Sequence, residues 1–261
     1  MLESIIVISP KGFHEGIRDI LQTEHATLNV CCVESLIELM LLDKNLLEQS
    51  RLISFLNKVI VPDFTLKKLA YGAINFHPGP PSYPGYAPYS FALYEDAQRY
   101  GVTAHEMIDK VDAGRILALD CFAIEPDCQH AQLVNLCIEF SKTLLMKLAP
   151  LLVCKSLPPF LDNTWGSHKS TRAQFSQQCE IPADISKAEL HRRIRAFGAG
   201  DGEHSIFIWH EGKKFFYQEG DQSTACTDCL ELYGNLFQAT EDIHQDTAQQ
   251  LSPKHSLSQS F

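Results

Sequence analysis

The chain has 261 residues, of which 45% are hydrophobic and 21% charged, a composition that excludes a wholly disordered protein. It carries 22 lysines and arginines against 32 aspartates and glutamates, which gives a formal net charge of −10 at pH 7. A protein that binds the phosphate backbone of a nucleic acid over a wide face is normally basic. The charge balance therefore weighs against nucleic acid as a partner.

The sequence offers no signal for a membrane or a metal. No run of 18 or more apolar residues occurs, so we expect no membrane span. Residues 1–8 lack the basic leader and long apolar segment of a signal peptide, and nine cysteines, several within apolar runs, favour reduced thiols in the cytoplasm. Cys226 and Cys229 form one C-x-x-C, but His244 and His255 are too distant to complete a zinc motif, so no metal is expected.

Strand-like and helix-like segments alternate along the first 152 residues. Alternation of this kind predicts an α/β fold with a Rossmann-like, mostly parallel sheet and helices on both faces. The predicted strands are residues 4–8, 27–33, 52–56, 73–76, 101–107 and 115–124. The predicted helices are residues 12–21, 35–47, 62–69, 89–100 and 130–152.

The composition changes after Pro158-Pro159. We predict a catalytic domain of residues 1–155 and a small α+β C-terminal extension of residues 156–261. Within the extension the predicted elements are a basic helix at 186–197, N-capped by Ser186 with Glu189 completing a capping box, a β-hairpin of 205–209 and 213–217, and a polar tail.

Three polar residues stand at the ends of predicted strands. Asn75 and His77 are two positions apart, so both side chains leave the same face of the strand at 73–76. Asp112 lies in the turn that follows the strand at 101–107. Ligands of open α/β sheets bind beyond the carboxyl ends of the strands. If these two strands are neighbours, the three side chains can converge there.

An amide, an imidazole and a carboxylate together suit acyl transfer to an amine. The amide can donate a hydrogen bond to a developing oxyanion, and the imidazole can move a proton near neutral pH. The carboxylate can orient the imidazole and help to deprotonate the amine, which attacks directly and needs no covalent nucleophile. The alternative is structural, because a histidine beside a proline-rich loop is often only a hydrogen-bonded packing residue and Asp-Ala-Gly is a common turn.

Two sequence blocks resemble the signature of the 10-formyltetrahydrofolate-dependent formyltransferases. The segments that carry the resemblance are Asn75-Phe76-His77-Pro78, the Pro/Gly loop through Tyr83-Pro84-Gly85, Gly101-Val102-Thr103-Ala104-His105 and Val111-Asp112-Ala113-Gly114-Arg115-Ile116-Leu117. The blocks occur in the family's order, with 37 positions from Asn75 to Asp112. The family includes methionyl-tRNA formyltransferase, glycinamide ribonucleotide transformylase and the sugar N-formyltransferases, and the resemblance covers about residues 50–150.

The resemblance implies a role for each member of the trio, with 10-formyltetrahydrofolate as co-substrate. Asn75 would polarise the formyl oxygen, His77 would transfer a proton and stabilise the tetrahedral intermediate, and Asp112 would orient His77 and relay the amine proton. The family's folate lies against backbone of two segments, which implies contacts at Phe55, Leu56, Asn57, Ile108, Asp109 and Lys110.

The second half of the chain indicates which class of acceptor receives the formyl group. The tRNA-modifying members continue into a basic β-barrel domain, whereas the 57 residues after His204 are not basic. Glycinamide ribonucleotide transformylases tend to end soon after the helix near residue 152. We therefore expect the amine of a nucleotide-linked amino sugar, as in surface polysaccharide synthesis. Candidate substrate contacts are Tyr83, Tyr86, Tyr89 and Arg195, with Arg192 and Arg193 beside it; their alternative roles are loop packing and a solvated helix face.

Three alternative functions stay open. A methionyl-tRNA formyltransferase would share the same domain. A 10-formyltetrahydrofolate hydrolase tends to show two adjacent histidines in the loop, where this chain has only His77. A catalytically silent scaffold would not need the intact trio. We also expect the C-terminal hairpin and helix to support a homodimer or closure over the substrate.

Overall fold

A six-stranded sheet runs through the first half of the chain. The structure is a computed structural model that describes residues 1–157, 159–198, 205–210, 212–217 and 237–239. In chain order the strands of this sheet are β1 (Ser4–Ile8), β2 (Asn29–Val33), β3 (Ser50–Phe55), β4 (Ala73–His77), β5 (Arg99–Glu106) and β6 (Ile116–Ala123). They lie in the order β2-β1-β3-β4-β5-β6, and β1 to β4 are parallel while β5 and β6 are antiparallel to their neighbours. The predicted α/β fold with a mostly parallel sheet is confirmed.

Helices cover both faces of the sheet. In the described residues they are α1 (His14–Glu24), α2 (Leu36–Leu41), α3 (Lys44–Glu48), α4 (Asp63–Leu66), α5 (Pro88–Tyr94), α6 (His130–Leu152), α7 (Arg172–Cys179) and α8 (Lys187–Phe197). Alternate side chains of β1 explain the layers: Ile5 and Val7 pack with α1 and α6, whereas Ile6 and Ile8 pack with α2 and α3. A strand buried on both faces has a nearly continuous run of apolar residues, as residues 5–8 show.

Two predicted helices differ from the observed ones. The single helix predicted at 35–47 is wrong, because Leu42 is extended and the Asp43 side chain accepts a hydrogen bond from the Asn45 N–H, which starts a second helix. The helix predicted at 89–100 ends at Tyr94. Asp96 then adopts a left-handed φ of 52°, which turns the chain into β5.

The C-terminal part contains α7, α8 and a small antiparallel sheet of β7 (Phe207–His210), β8 (Lys213–Tyr217) and β9 (Phe237–Ala239). The predicted hairpin is confirmed, and the Ser186 hydroxyl caps α8 by accepting from the Glu189 N–H. The sequence prediction lacked α7, although Thr171 and Gln174 form a capping box at its start. The domain boundary at residue 155 stays a prediction.

Several predictions fall on residues that the structure does not describe. Cys226, Cys229, His244, His255 and the polar tail lie outside the described residues. Within the described part of the chain, no helix has the length and apolarity needed to cross a membrane. The same part contains no group of three or more His, Cys, Asp or Glu side chains placed so that they could hold a metal ion.

Candidate active site

The candidate site forms where β4 ends beside β5. Asn75 and His77 leave the same face of β4, and the antiparallel register places Asn75 directly opposite His105 of β5. Asp112 lies in the loop between β5 and β6 and has a left-handed φ of 46°. The pairing with β6 shifts between Ala104 and His105, an irregularity of the kind that re-aims side chains near sites.

The structure brings the three predicted residues together, and His105 contacts Asn75 and Asp112. His77 Nδ1 lies 3.5 Å from Asp112 Oδ1, and His105 Nε2 lies 3.4 Å from the same oxygen. The Asn75 Nδ2 atom is 3.1 Å from His105 Nε2. His77, His105 and Asp112 are only 3–5% exposed, whereas Asn75 is half-buried. Asn75 is therefore the member of the trio that solvent reaches most easily.

Backbone groups fix the outer edges of this cluster. His77 Nε2 donates to the Tyr83 carbonyl at 3.1 Å, and His105 Nδ1 donates to the Glu106 carbonyl at 2.8 Å. The Gly85 N–H donates to Asp112 Oδ2 at 2.8 Å. Gly79 leaves room for the His77 ring, because a Cβ at position 79 would lie 2.6 Å from His77 Nε2.

The surroundings shift the pKa values of two members. Burial acts to raise the pKa of Asp112, but the adjacent His105 and His77 rings and the Gly85 N–H outweigh it and lower the pKa to about 2. Burial lowers the pKa of His77 from its ordinary value, and Asp112 opposes that effect only in part. The arrangement favours an ionised carboxylate beside a neutral imidazole.

Residues 160–171, here the crossing segment, pass over the site and bind both of its loops. The Gly166 N–H donates to the Pro81 carbonyl at 2.8 Å, and the Ser170 hydroxyl donates to the Tyr86 carbonyl at 2.6 Å. These contacts hold the proline-rich loop that follows β4.

Trp165 lies at the centre of the crossing segment and touches both imidazoles. Its indole N–H donates to the Gly114 carbonyl at 2.8 Å, in the loop that carries Asp112. Its ring meets His105 and His77 edge-on, with centroid separations of 4.9 and 5.7 Å. The indole therefore shields the histidine side of the cluster from solvent.

Comparison with known proteins identifies the central part of the chain. Residues 51–148 match the model of the Formyl transferase family. This segment is similar to the Formyl transferase family. It contains β4, β5 and all three residues of the predicted trio, and the predicted resemblance is confirmed.

Relatives and solved structures are similar to a larger part of the chain. A methionyl-tRNA formyltransferase from Lactobacillus acidophilus is 27% identical over 165 residues, which cover 62% of this chain and 50% of that relative. The chain thus matches about half of that relative's length. A sugar N-formyltransferase from Shewanella sp. FDAARGOS_354 has a TM-score of 0.69 at 20% identity, with 86% of this chain and 100% of that chain covered. An N-formyltransferase from Helicobacter canadensis, in complex with folinic acid and dTDP-3-aminofucose, has a TM-score of 0.60 at 18% identity, with 82% and 86% covered.

The residues predicted to contact folate lie in two separate parts of residues 51–148. Phe55 is fully buried and packs against Phe76, so its side chain belongs to the core and only its backbone could serve a ligand. Leu56 has a left-handed φ of 48°, and Asn57 accepts from the Val59 N–H. Three further candidates are exposed in the loop that carries Asp112: Ile108, Asp109 and Lys110. Their folate contacts stay predictions.

The predicted substrate residues all have partners within the protein. The Tyr83 hydroxyl donates to Glu95, Tyr86 packs edge-on against Phe175, and Tyr89 packs edge-on against His130. Arg195 donates to the Leu93 and Pro126 carbonyls and to Asp96. Tyr83 touches the trio through its backbone carbonyl, and Arg195 ties α8 to the end of α5. Their roles in substrate binding stay predictions.

Sequence reasoning missed two residues of the candidate site. His105 stood inside the quoted motif, and its alternation with Thr103 on one strand face was a signal that could have found it. Trp165 lies in a segment without periodicity, 90 positions after Asn75, and its neighbours could not be foreseen from local pattern.

Acid should destabilise the protein through the two shifted groups. Both groups bind more protons in the unfolded chain, because their pKa values are lower in the folded state, so the free energy of unfolding falls as pH falls. The His77 contribution is lost below about pH 6.5 and the Asp112 contribution, on the order of 2 kcal/mol, between about pH 4 and 2. Urea unfolding from neutral to acid pH measures both. Asp112→Asn should lack the lower step; an unchanged lower step in that variant would contradict the assignment.

Proposed function

We propose that this protein is an N-formyltransferase that moves the formyl group of 10-formyltetrahydrofolate to the amine of a small acceptor. The observation that carries the proposal is the convergence of Asn75, His77 and Asp112 within the segment that matches the Formyl transferase family. His105 lies 3.1 Å from Asn75 and 3.4 Å from Asp112, and His77 lies 3.5 Å from Asp112. Half of the curated relative's length lies outside the match, so the activity is inferred from the site itself.

The reaction is an acyl transfer between two nitrogens. The amine nitrogen bonds to the formyl carbon, the bond from that carbon to N10 of the folate breaks, the amine gives up one proton and N10 gains one. The Asn75 amide donates to the formyl oxygen as negative charge develops there. The amine proton passes to the Asp112–His77 pair, where the ionised carboxylate stabilises the resulting imidazolium.

The residues present fit a folate co-substrate. The half-buried Asn75 amide offers a hydrogen-bond donor to a neutral formamide oxygen, and a buried carboxylate with a pKa of about 2 stays charged throughout. Ile108 and Val111 are 39% and 40% exposed in the loop that carries Asp112, and they offer apolar surface to a flat ring. The reaction needs no metal, because proton transfer and oxyanion stabilisation come from side chains.

For the acceptor we favour a nucleotide-linked amino sugar, used in the cytoplasm for surface polysaccharide synthesis. The net charge of −10 disfavours the long phosphate backbone of a tRNA. The Helicobacter canadensis neighbour binds folinic acid and dTDP-3-aminofucose, which supports the same pair of ligand classes here. Methionyl-tRNA is the second candidate, because the curated relatives are methionyl-tRNA formyltransferases. Assembly as a homodimer stays a prediction.

A coupled assay tests the proposal. The purified protein is incubated with 10-formyltetrahydrofolate and one acceptor at a time, and the release of tetrahydrofolate is followed together with the mass of the acceptor. The acceptors are dTDP- and UDP-linked amino sugars, methionyl-tRNA and none. We expect release only with an amino-sugar nucleotide, which gains one formyl group.

Each other result has a defined meaning. Release without any amine would identify a hydrolase, and release with methionyl-tRNA alone would overturn the sugar assignment. No release with any acceptor would overturn the enzyme assignment in favour of a silent scaffold.

A further inference from the structure

His105 makes contacts that the trio alone does not explain. It is 3% exposed, it lies opposite Asn75 in the sheet, and it faces Asp112 and the indole of Trp165. These polar and aromatic neighbours restrict the orientation of the His105 ring. Its role follows from which of its nitrogens can donate.

Backbone geometry places the proton of the neutral ring. His105 Nδ1 lies 2.8 Å from the Glu106 carbonyl, and a carbonyl oxygen only accepts hydrogen bonds. The Nδ1 atom therefore carries the hydrogen, and Nε2 is left as an acceptor. Of the two groups near Nε2, the Asp112 carboxylate at 3.4 Å cannot donate, whereas the Asn75 amide nitrogen at 3.1 Å can.

We propose that His105 is a positioning residue that fixes the orientation of the Asn75 side-chain amide. One N–H of Asn75 donates to His105 Nε2, which leaves the second N–H to donate to the formyl oxygen. If the Asn75 amide flipped, its oxygen would face the Nε2 lone pair, and the hydrogen bond from Asn75 to His105 would be lost. The inference rests on the proposed formyl transfer, and it adds a residue that acts on the formyl oxygen only through Asn75.

Two substitutions separate this role from simple packing. Asparagine at this position keeps a nitrogen near the place of Nδ1, so His105→Asn retains the bond to the Glu106 carbonyl and loses the acceptor for Asn75. Glutamine places an oxygen near the position of Nε2, so His105→Gln retains that acceptor. A residue that only supported the Glu106 carbonyl would tolerate Asn better than Gln.

The kinetic test is a double-mutant cycle with Asn75→Ala. Loss of one oxyanion donor costs about 10²–10³-fold in kcat, so we expect His105→Asn to lose about 10- to 100-fold with KM nearly unchanged. His105→Gln should stay within about fivefold of the unsubstituted protein. Asn75→Ala/His105→Asn should be no slower than Asn75→Ala, because the two residues act as one unit. Multiplied losses, or an active His105→Asn beside an inactive His105→Gln, would overturn the proposal.

A spectroscopic readout is independent of turnover. The Asn75 side-chain NH₂ signals in a ¹⁵N spectrum are assigned by their loss in Asn75→Asp. They should be sharp and slowly exchanging in the unsubstituted protein and in His105→Gln, and shifted and fast-exchanging in His105→Asn. Unchanged signals in His105→Asn would refute the positioning role even if the enzyme proves active. Changed signals in a protein that transfers no formyl group would refute only the proposed function.

Discussion

Replacing Asp112 with asparagine should lower formyl-transfer turnover by about 10²–10⁴-fold and leave the fold intact. The amide has the same shape, it can still accept from the Gly85 N–H, and asparagine tolerates the left-handed φ of 46° at this position. What it removes is the negative charge that lies 3.5 Å from His77 Nδ1 and 3.4 Å from His105 Nε2. An imidazolium formed during the reaction would then lack its counter-charge.

Steady-state kinetics with the acceptor found in the coupled assay measure this effect, and thermal unfolding at neutral pH checks the fold. Asp127→Asn, at an exposed position in the turn before α6, is the matched control and should retain full turnover. Turnover of Asp112→Asn within about threefold of the unsubstituted protein would remove Asp112 from the proton-transfer pair.

Gly85→Ala should strongly destabilise the fold. Gly85 has a φ of +102°, and a Cβ there would lie 2.2 Å from the Ser170 carbonyl and 3.0 Å from the Ser170 nitrogen. The nearest obstacle is a backbone atom of the crossing segment, so rotation of the Lys169 side chain, whose Cγ would lie 2.9 Å away, cannot relieve the clash. We expect a loss of about 2–4 kcal/mol in the free energy of unfolding, the sum of backbone strain and overpacking.

Urea unfolding monitored by circular dichroism measures this loss. Gly16→Ala is the matched control, because Gly16 lies in α1 with nothing within 4 Å of its added Cβ. That variant should gain about 0.5–1 kcal/mol from helix propensity. Equal midpoints for Gly85→Ala and the unsubstituted protein would show that the proline-rich loop and the crossing segment do not meet as described.

Strand periodicity carried the most reliable predictions. The twofold repeat of β4 places Asn75 and His77 on one face, and the antiparallel β5 brings the Asp112 loop beside them, as the strand-end pattern predicts. The boundaries of β1 and α6 were predicted to the residue, because a strand with four consecutive apolar residues and a long periodic helix are strong signals. The break between α2 and α3 was missed, because helical spacing continues across it and only the Asp43 cap reveals it.

Contacts over long sequence separation could not be predicted in the same way. The crossing segment has no periodic pattern, and its place over the site depends on hydrogen bonds such as Gly166 to Pro81 and Ser170 to Tyr86. The sequence suggested that the tyrosines near the proline-rich loop contact the substrate, but it could not predict which way their side chains point. The rings of Tyr86 and Tyr89 pack within the protein. Local sequence predicts which side chains are available, whereas tertiary contacts decide what they touch.

The position of Trp165 allows the site to be monitored by intrinsic tryptophan fluorescence. The chain has only two tryptophans, and the other one, Trp209, is 53% exposed in β7. A Trp209→Phe chain would hold a single indole fluorophore in contact with both imidazoles of the cluster. Its emission would follow proton uptake and ligand entry at these rings in real time, without a label or a coupled assay.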